Sequence, residues 1–167
     1  MSSSRRDTAT SLLSGIADWG LIWLLLWMAM WAAGGKTRLA GQRGLLSFAL
    51  SSALVNGPLK LIWRRERPNR PIDDARRALV RPMGSSSFPS GHAAAAFAFA
   101  TGAGLEAPTL LAPLSLLATG IAYSRVHSRV HFVSDVLAGS AIGVASALTV
   151  RGLLSRPAMP TALERRI

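Results

Sequence analysis

Five long apolar blocks, parted by short polar segments, constrain this chain more than any other feature of its sequence. Half of its 167 residues are hydrophobic. A soluble domain of this length encloses too small a core to hide such blocks, and the apolar residues are not spaced for one face of an amphipathic helix. Blocks of roughly 20 residues match the hydrocarbon thickness of a bilayer. Within hydrocarbon the backbone must satisfy its own hydrogen bonds, so the expected fold is all-α, a multi-pass transmembrane bundle of about five helices.

The expected spans run from Leu12 or Ala17 to Ala33, from Gly44 to Trp63, from Gly91 to Leu105, from Pro108 to Tyr123 and from Val133 to Leu154. Gly34-Gly35-Lys36 stops the first, and Glu106-Ala107-Pro108 turns the chain after the third. Asn56-Gly57-Pro58 interrupts the second and is expected to bend it or to pack against a neighbour. Arg5 and Arg6 precede the first block, but no small-residue cleavage site follows, so it reads as a retained membrane helix. Residues 1–167 then form a single domain, with a polar tail at 155–167.

Against this apolar background stands a net charge of +11. Basic charge on a membrane chain suits anionic head groups or a phosphorylated substrate. Nucleic acid is excluded as a partner, because no soluble basic face remains to bind it. The chain has no cysteine, which rules out disulfides, thiolate catalysis and thiolate metal sites. Counted by helix order, 12 of its 19 lysines and arginines fall on one membrane side and 7 on the other. Several of the 12 are candidate site residues, so the positive-inside rule leaves the orientation open.

Helix order also gathers the polar residues. The end of the second span, the start of the third, the end of the fourth and the start of the fifth must share one membrane side. Three segments lie there. In the first, Lys60 and Arg67 are seven apart, close to two helical turns, and Pro68 should end the helix at Arg67. Two cations on one face suit a phosphate dianion; they also suit an ordinary basic flank. In the second, Pro89-Ser90-Gly91-His92, Ser90 is placed as an N-cap and glycine permits close approach to a ligand. A helix start there would bind an anion beside His92, or would simply be a capped helix with a surface histidine. In the third, Ser124-Arg125 leads to His131 and Asp135, four apart, whose side chains meet if both lie on a helix. A carboxylate bonded to one ring nitrogen sets the tautomer and leaves the other nitrogen to attack, and Arg125 adds a third cation. The alternative is a helix-capping salt bridge.

The three segments together resemble the signature of the type-2 phosphatidate phosphatase superfamily: Lys, six residues, Arg-Pro; Pro-Ser-Gly-His; and Ser-Arg, five residues, His, three residues, Asp. The likeness runs from about Val55 to Gly143, the expected catalytic core. It implies a lipid phosphate phosphatase without metal or cofactor. His131 would be the nucleophile, Asp135 its orienting partner and His92 the general acid and base. Lys60, Arg67, Arg125, Ser90 and Gly91 would hold the phosphoryl oxygens. Phosphatidate, phosphatidylglycerol phosphate and polyprenyl phosphates of bacterial cell-envelope synthesis are candidate substrates, and a bacterial plasma membrane is the expected location. Many relatives have six membrane helices, and the missing one here precedes the first motif. The alternatives are a phosphotransferase that passes the phosphoryl group to a sugar or lipid, and a non-catalytic protein that binds anionic lipid.

Other features read as packing. Trp19, Trp23, Trp27 and Trp31 recur every four residues and are expected to form a packing ridge or an oligomer contact, rather than a lipid groove. His127 matches no motif position and is expected to be noncatalytic. Arg70, Arg76, Arg77 and Arg81, with Asp73 and Asp74, make either a head-group-bound surface or a lid.

Overall fold

The computed structural model describes residues 20–68 and 86–155. All regular structure among them is helical. It comprises α1 (Leu21–Ala33), α2 (Gly35–Ile62), α3 (Gly91–Glu106), α4 (Pro108–His127) and α5 (Val133–Leu154). The expected multi-pass bundle is thus observed. α2, α4 and α5 are each long and apolar enough to cross a membrane, and α1 is a shorter apolar helix. Large apolar side chains cover the outside, among them Leu116, Leu137 and Leu153, as lipid contact requires.

α1 reverses into α2 through Gly34, whose φ of 72° with Gly35 at 53° is left-handed backbone that glycine adopts without a Cβ clash. α2 then starts nine residues before the expected Gly44. Apolarity marks the part of a helix within hydrocarbon, whereas the first turns of α2 carry Lys36 and Arg38 at its edge. Arg38 lies over the Trp31 ring at 3.5 Å and is held there by cation–π attraction. α4 similarly continues past Tyr123 to His127, its polar last turn lying beyond the apolar run.

α3 is the central helix and packs against α2, α4 and α5. It can do so because its sequence is mostly alanine and glycine, and Ala93–Ala96, Ala98, Ala100 and Ala103 are buried. Small residues let helix backbones approach, which drives association where no hydrophobic effect operates between helices. On α5, a side chain at Gly139 would meet the Ser90 backbone, and one at Gly143 would meet Ala94. Of the Trp ridge, Trp23 is buried against Phe99 at a ring distance of 5.2 Å, and Trp27 lies 5.6 Å from Trp31, which is exposed. Trp19 lies outside the described residues. At the bundle end away from the motif segments, Arg43 on α2 pairs with Glu106 at the end of α3 at 3.4 Å.

Candidate active site

The first motif segment is shaped by a break in α2. Val55–Leu59 form a π-helical turn, and Gly57, at φ −92° and ψ −110°, leaves helical geometry. Pro58 removes a backbone donor there, and a widened turn is the usual accommodation. The bend brings α2 against the head of α3. A methyl group on Gly91 would stand 3.1 Å from Asn56 Oδ1, tighter than ordinary contact, and 3.8 Å from Lys60 Nζ, so the missing side chain eases the approach of Asn56.

Here one expectation is corrected. α2 ends at Ile62 rather than at Arg67, and Trp63 is already extended, so Lys60 and Arg67 do not share a helix face. Proline restrains only the residue before it. What ends the helix is tertiary. Residues 63–68 run beside 86–88, where the Arg65 N–H donates to Ser86 Oγ at 3.0 Å and the Ser87 N–H donates to the Arg65 carbonyl at 2.9 Å. Ser86 Oγ also donates to the Trp63 carbonyl at 2.6 Å. This strap delivers Arg67 to the third segment, where its Nη1 donates to the Val130 carbonyl at 3.1 Å.

The third segment is a tight reversal. The Arg129 N–H donates to the Val126 carbonyl and the Val130 N–H to that of Arg125, with Arg129 at φ 51°. This is a Schellman ending, with arginine in the left-handed position that glycine usually takes. The His131 N–H also donates to the Arg125 carbonyl, at 3.2 Å. Phe132 then caps α5, and its N–H donates to Asp135 Oδ2 at 3.0 Å, half of a capping box. His131 is therefore held in the five-residue joint between two helices.

That placement agrees with the expected start of the last span at Val133. His131 precedes α5, so the pair is not an i, i+4 contact within one helix. Nδ1 of His131 lies 3.6 Å from Asp135 Oδ2, and among the described residues no hydrogen bond reaches it. The fully buried Asp135 carboxylate is occupied elsewhere. Oδ1 accepts from Arg65 Nη1 at 2.7 Å, and Oδ2 accepts from Ser87 Oγ as well as from Phe132. Neither Arg65 nor Ser87 stands out in the sequence, since one sits in an arginine cluster and the other in a serine run.

His131, only 3 % exposed, resists protonation. Burial and the nearby Arg67 charge, with a smaller push from His92, outweigh Asp135 and the Ser87 backbone and lower its pKa from 6.5 to about 4. The imidazole is thus neutral at neutral pH, with a lone pair to use.

The second segment joins the other two. Ser90 caps α3, as expected, by accepting from the Ala93 N–H at 3.5 Å. Its own N–H donates to the Asp135 carbonyl at 2.9 Å, so it is not turned to a ligand. The next amides of the first turn, at Gly91 and His92, have no intrahelical acceptor. A cavity of about 260 Å³ opens beside them. Lys60, Asn56, Gly91, His92 and His131 line its polar part, and Trp23, Phe48 and Ala95 its apolar part. Arg67, Arg125, Ser90 and Asp135 are not among the lining residues. Arg125 is 1 % exposed at the end of α4, its Nε 3.3 Å from Ser124 Oγ. His127 is not among the lining residues and stacks on the exposed Tyr123 ring at 5.6 Å. Among the described residues no group of three or more His, Cys, Asp or Glu side chains could hold a metal ion. Arg70, Arg76, Arg77, Arg81, Asp73 and Asp74 lie outside the described residues.

A cavity of this kind can receive an anion at a helix start and a lysine, and present it to a neutral imidazole. Comparisons with known proteins agree in outline. The sequence model of the PAP2 superfamily matches residues 43–156. A crystal structure of Aquifex aeolicus LpxE superposes with a TM-score of 0.66 at 27 % identity, over 87 % of this chain and 85 % of that one. The crystal structure of a transmembrane PAP2-type phosphatidylglycerolphosphate phosphatase from Bacillus subtilis superposes with a TM-score of 0.60 at 24 % identity, over 87 % of this chain and 76 % of that one, a likeness of fold. A comparison with curated proteins finds no match.

Proposed function

The chain belongs to the PAP2 superfamily, and from that premise we propose that it is a membrane phosphatase that hydrolyses a lipid phosphate through a phosphohistidine on His131, without a metal. The observation that carries this reading is the cavity itself. Lys60, His92 and His131, from three separate stretches of chain, line one space that also has an apolar side, made by Trp23, Phe48 and Ala95 of helices α1, α2 and α3. A phosphate ester of a hydrocarbon alcohol fits both halves. The LpxE and phosphatidylglycerolphosphate phosphatase likenesses support the same class.

In the proposed reaction, the phosphate rests on Lys60 and the first-turn amides of α3, where the helix dipole favours negative charge. The ring nitrogen of His131 not turned to Asp135 attacks phosphorus. The bond from phosphorus to the lipid oxygen breaks, and His92 gives its proton to the departing alkoxide. Water then attacks the phosphohistidine while His92 takes its proton, the P–N bond breaks, and inorganic phosphate leaves. Arg67 and Arg125, outside the lining, supply positive potential. Phosphoryl transfer needs little beyond this, since its catalysis is mainly positioning and charge stabilisation. A bacterial plasma membrane suits the chain, as the two structural likenesses come from bacteria.

The test is phosphate release from a panel of lipid phosphates by the detergent-purified protein in the presence of chelator. His131→Ala should abolish release and the acid-labile labelled phosphoenzyme together. Activity that survives His131→Ala would falsify the assignment of the nucleophile. Phosphorylated acceptor in place of free phosphate would make the protein a phosphotransferase.

A further inference from the structure

The Asp135 carboxylate has about four acceptor positions. Three are taken, by Arg65, Ser87 and the Phe132 N–H, and Nδ1 of His131 is left 3.6 Å from Oδ2. Arg65 belongs to none of the motif positions, yet it is the charged group that meets this carboxylate. Its guanidinium is anchored three ways: Nη1 bonds Asp135 at 2.7 Å and Ser134 Oγ at 2.8 Å, and the plane lies 4.1 Å from the Phe132 ring centre. Its backbone is pinned at both ends by Ser86 and Ser87. An arginine that is 41 % exposed and held at five points is ordered for a purpose other than solubility.

We infer that Arg65 is a positioning residue: it holds and charge-balances the Asp135 carboxylate, so that the His131 imidazole keeps its lone pair for attack. A lone carboxylate 3.6 Å from an imidazole would draw a proton onto it, because an opposite charge within ~4–6 Å favours the charged form. The guanidinium cancels much of that pull. Among the described residues, the positive charge of Arg67 on the strap and the His92 ring on α3 act on His131, and Lys60 on α2 shares its cavity. Among the described residues, Asp135 is the carboxylate that pulls a proton toward His131, and Arg65 is what restrains it. The inference rests on the reading of His131 as nucleophile.

The test uses ¹⁵N-histidine NMR of the full chain in detergent, with the His131 signal assigned by its loss in His131→Asn. Arg65→Gln should raise the His131 titration midpoint by about one pH unit, close to a tenfold gain in proton affinity. Arg65→Lys, which keeps the charge, should move it by less than half as much. Phosphate release measured in parallel should show its acid limb displaced upward by the same amount. An unmoved midpoint in Arg65→Gln overturns the inference, and so does a lysine variant that shifts as far as the glutamine one. Should Arg65→Gln fail to fold, Ser134→Ala removes only the second anchor of the guanidinium. It should shift the midpoint the same way to a smaller extent, and no shift overturns the inference. A shifted midpoint in a protein that releases no phosphate would remove the proposed reaction and leave the role of Arg65 standing.

Discussion

The Ser90 N–H donates to the carbonyl of Asp135 at 2.9 Å, joining the head of α3 to the head of α5. This bond forms because Gly139 and Gly143 let the two helices touch through their backbones. It sets the histidine-bearing joint against the helix start that is proposed to hold phosphate, so the separation of α3 and α5 should control both stability and activity.

Gly139→Val tests that relationship. Its new methyl groups would meet the Ser90 backbone, which cannot yield as a flexible side chain can. Overpacking of this kind costs about 1–3 kcal/mol, and phosphate release should be lost with it. A methyl group on Gly120 would meet nothing within 4 Å, so Gly120→Ala should raise the melting temperature, by up to about 1 kcal/mol in stability. Thermal melts of both variants in one detergent make the comparison.

The depressed pKa of His131 makes stability depend on pH in a definite direction. Between pH 6.5 and about 4 the unfolded chain binds a proton that the folded protein refuses. Stability from this group is therefore complete above 6.5, falls as the pH drops through that window, and is gone below about 4. Melting temperatures measured across this range should decline, and His131→Asn should flatten the decline.

Lys60 and Arg67 should separate kinetically, although the motif pairs them. Lys60 lines the cavity, so Lys60→Gln should lower kcat/KM by about a hundredfold or more with the acid limb unmoved. Arg67 is not among the lining residues, and its charge helps to keep His131 neutral. Arg67→Gln should therefore move the acid limb to higher pH. Paired pH–rate profiles distinguish the two effects.

Arg129 holds a left-handed conformation that costs an L-residue roughly 1 kcal/mol. Arg129→Val should melt lower than Arg129→Gly, since both lose the arginine side chain but a β-branched residue tolerates this geometry worst and glycine best. Differential melting of the two variants checks this.

Much of this was legible from residue order alone. Apolar runs of bilayer length announce membrane helices because hydrocarbon demands self-satisfied backbone, and a chain crossing it back and forth must return each loop to a predictable side. That reasoning brought Lys60, His92, Arg125, His131 and Asp135 to one end of the bundle, and Ser90 to its cap. The starting point of α2 was not legible, because charged first turns such as Lys36 to Arg43 lie outside the property that was read.

Sequence by itself therefore determined the helical bundle, the capping of α3 and the end of the bundle at which the motif segments gather. Tertiary structure alone decided how they are wired: that the strap carries Arg67 to the Val130 carbonyl, and that Arg65 and Ser87 take the Asp135 acceptors. The physical reason is range. Helix formation and capping are settled among residues a turn or two apart, but a buried carboxylate takes its donors from whichever segments packing brings near it, here 48 and 70 positions away along the chain.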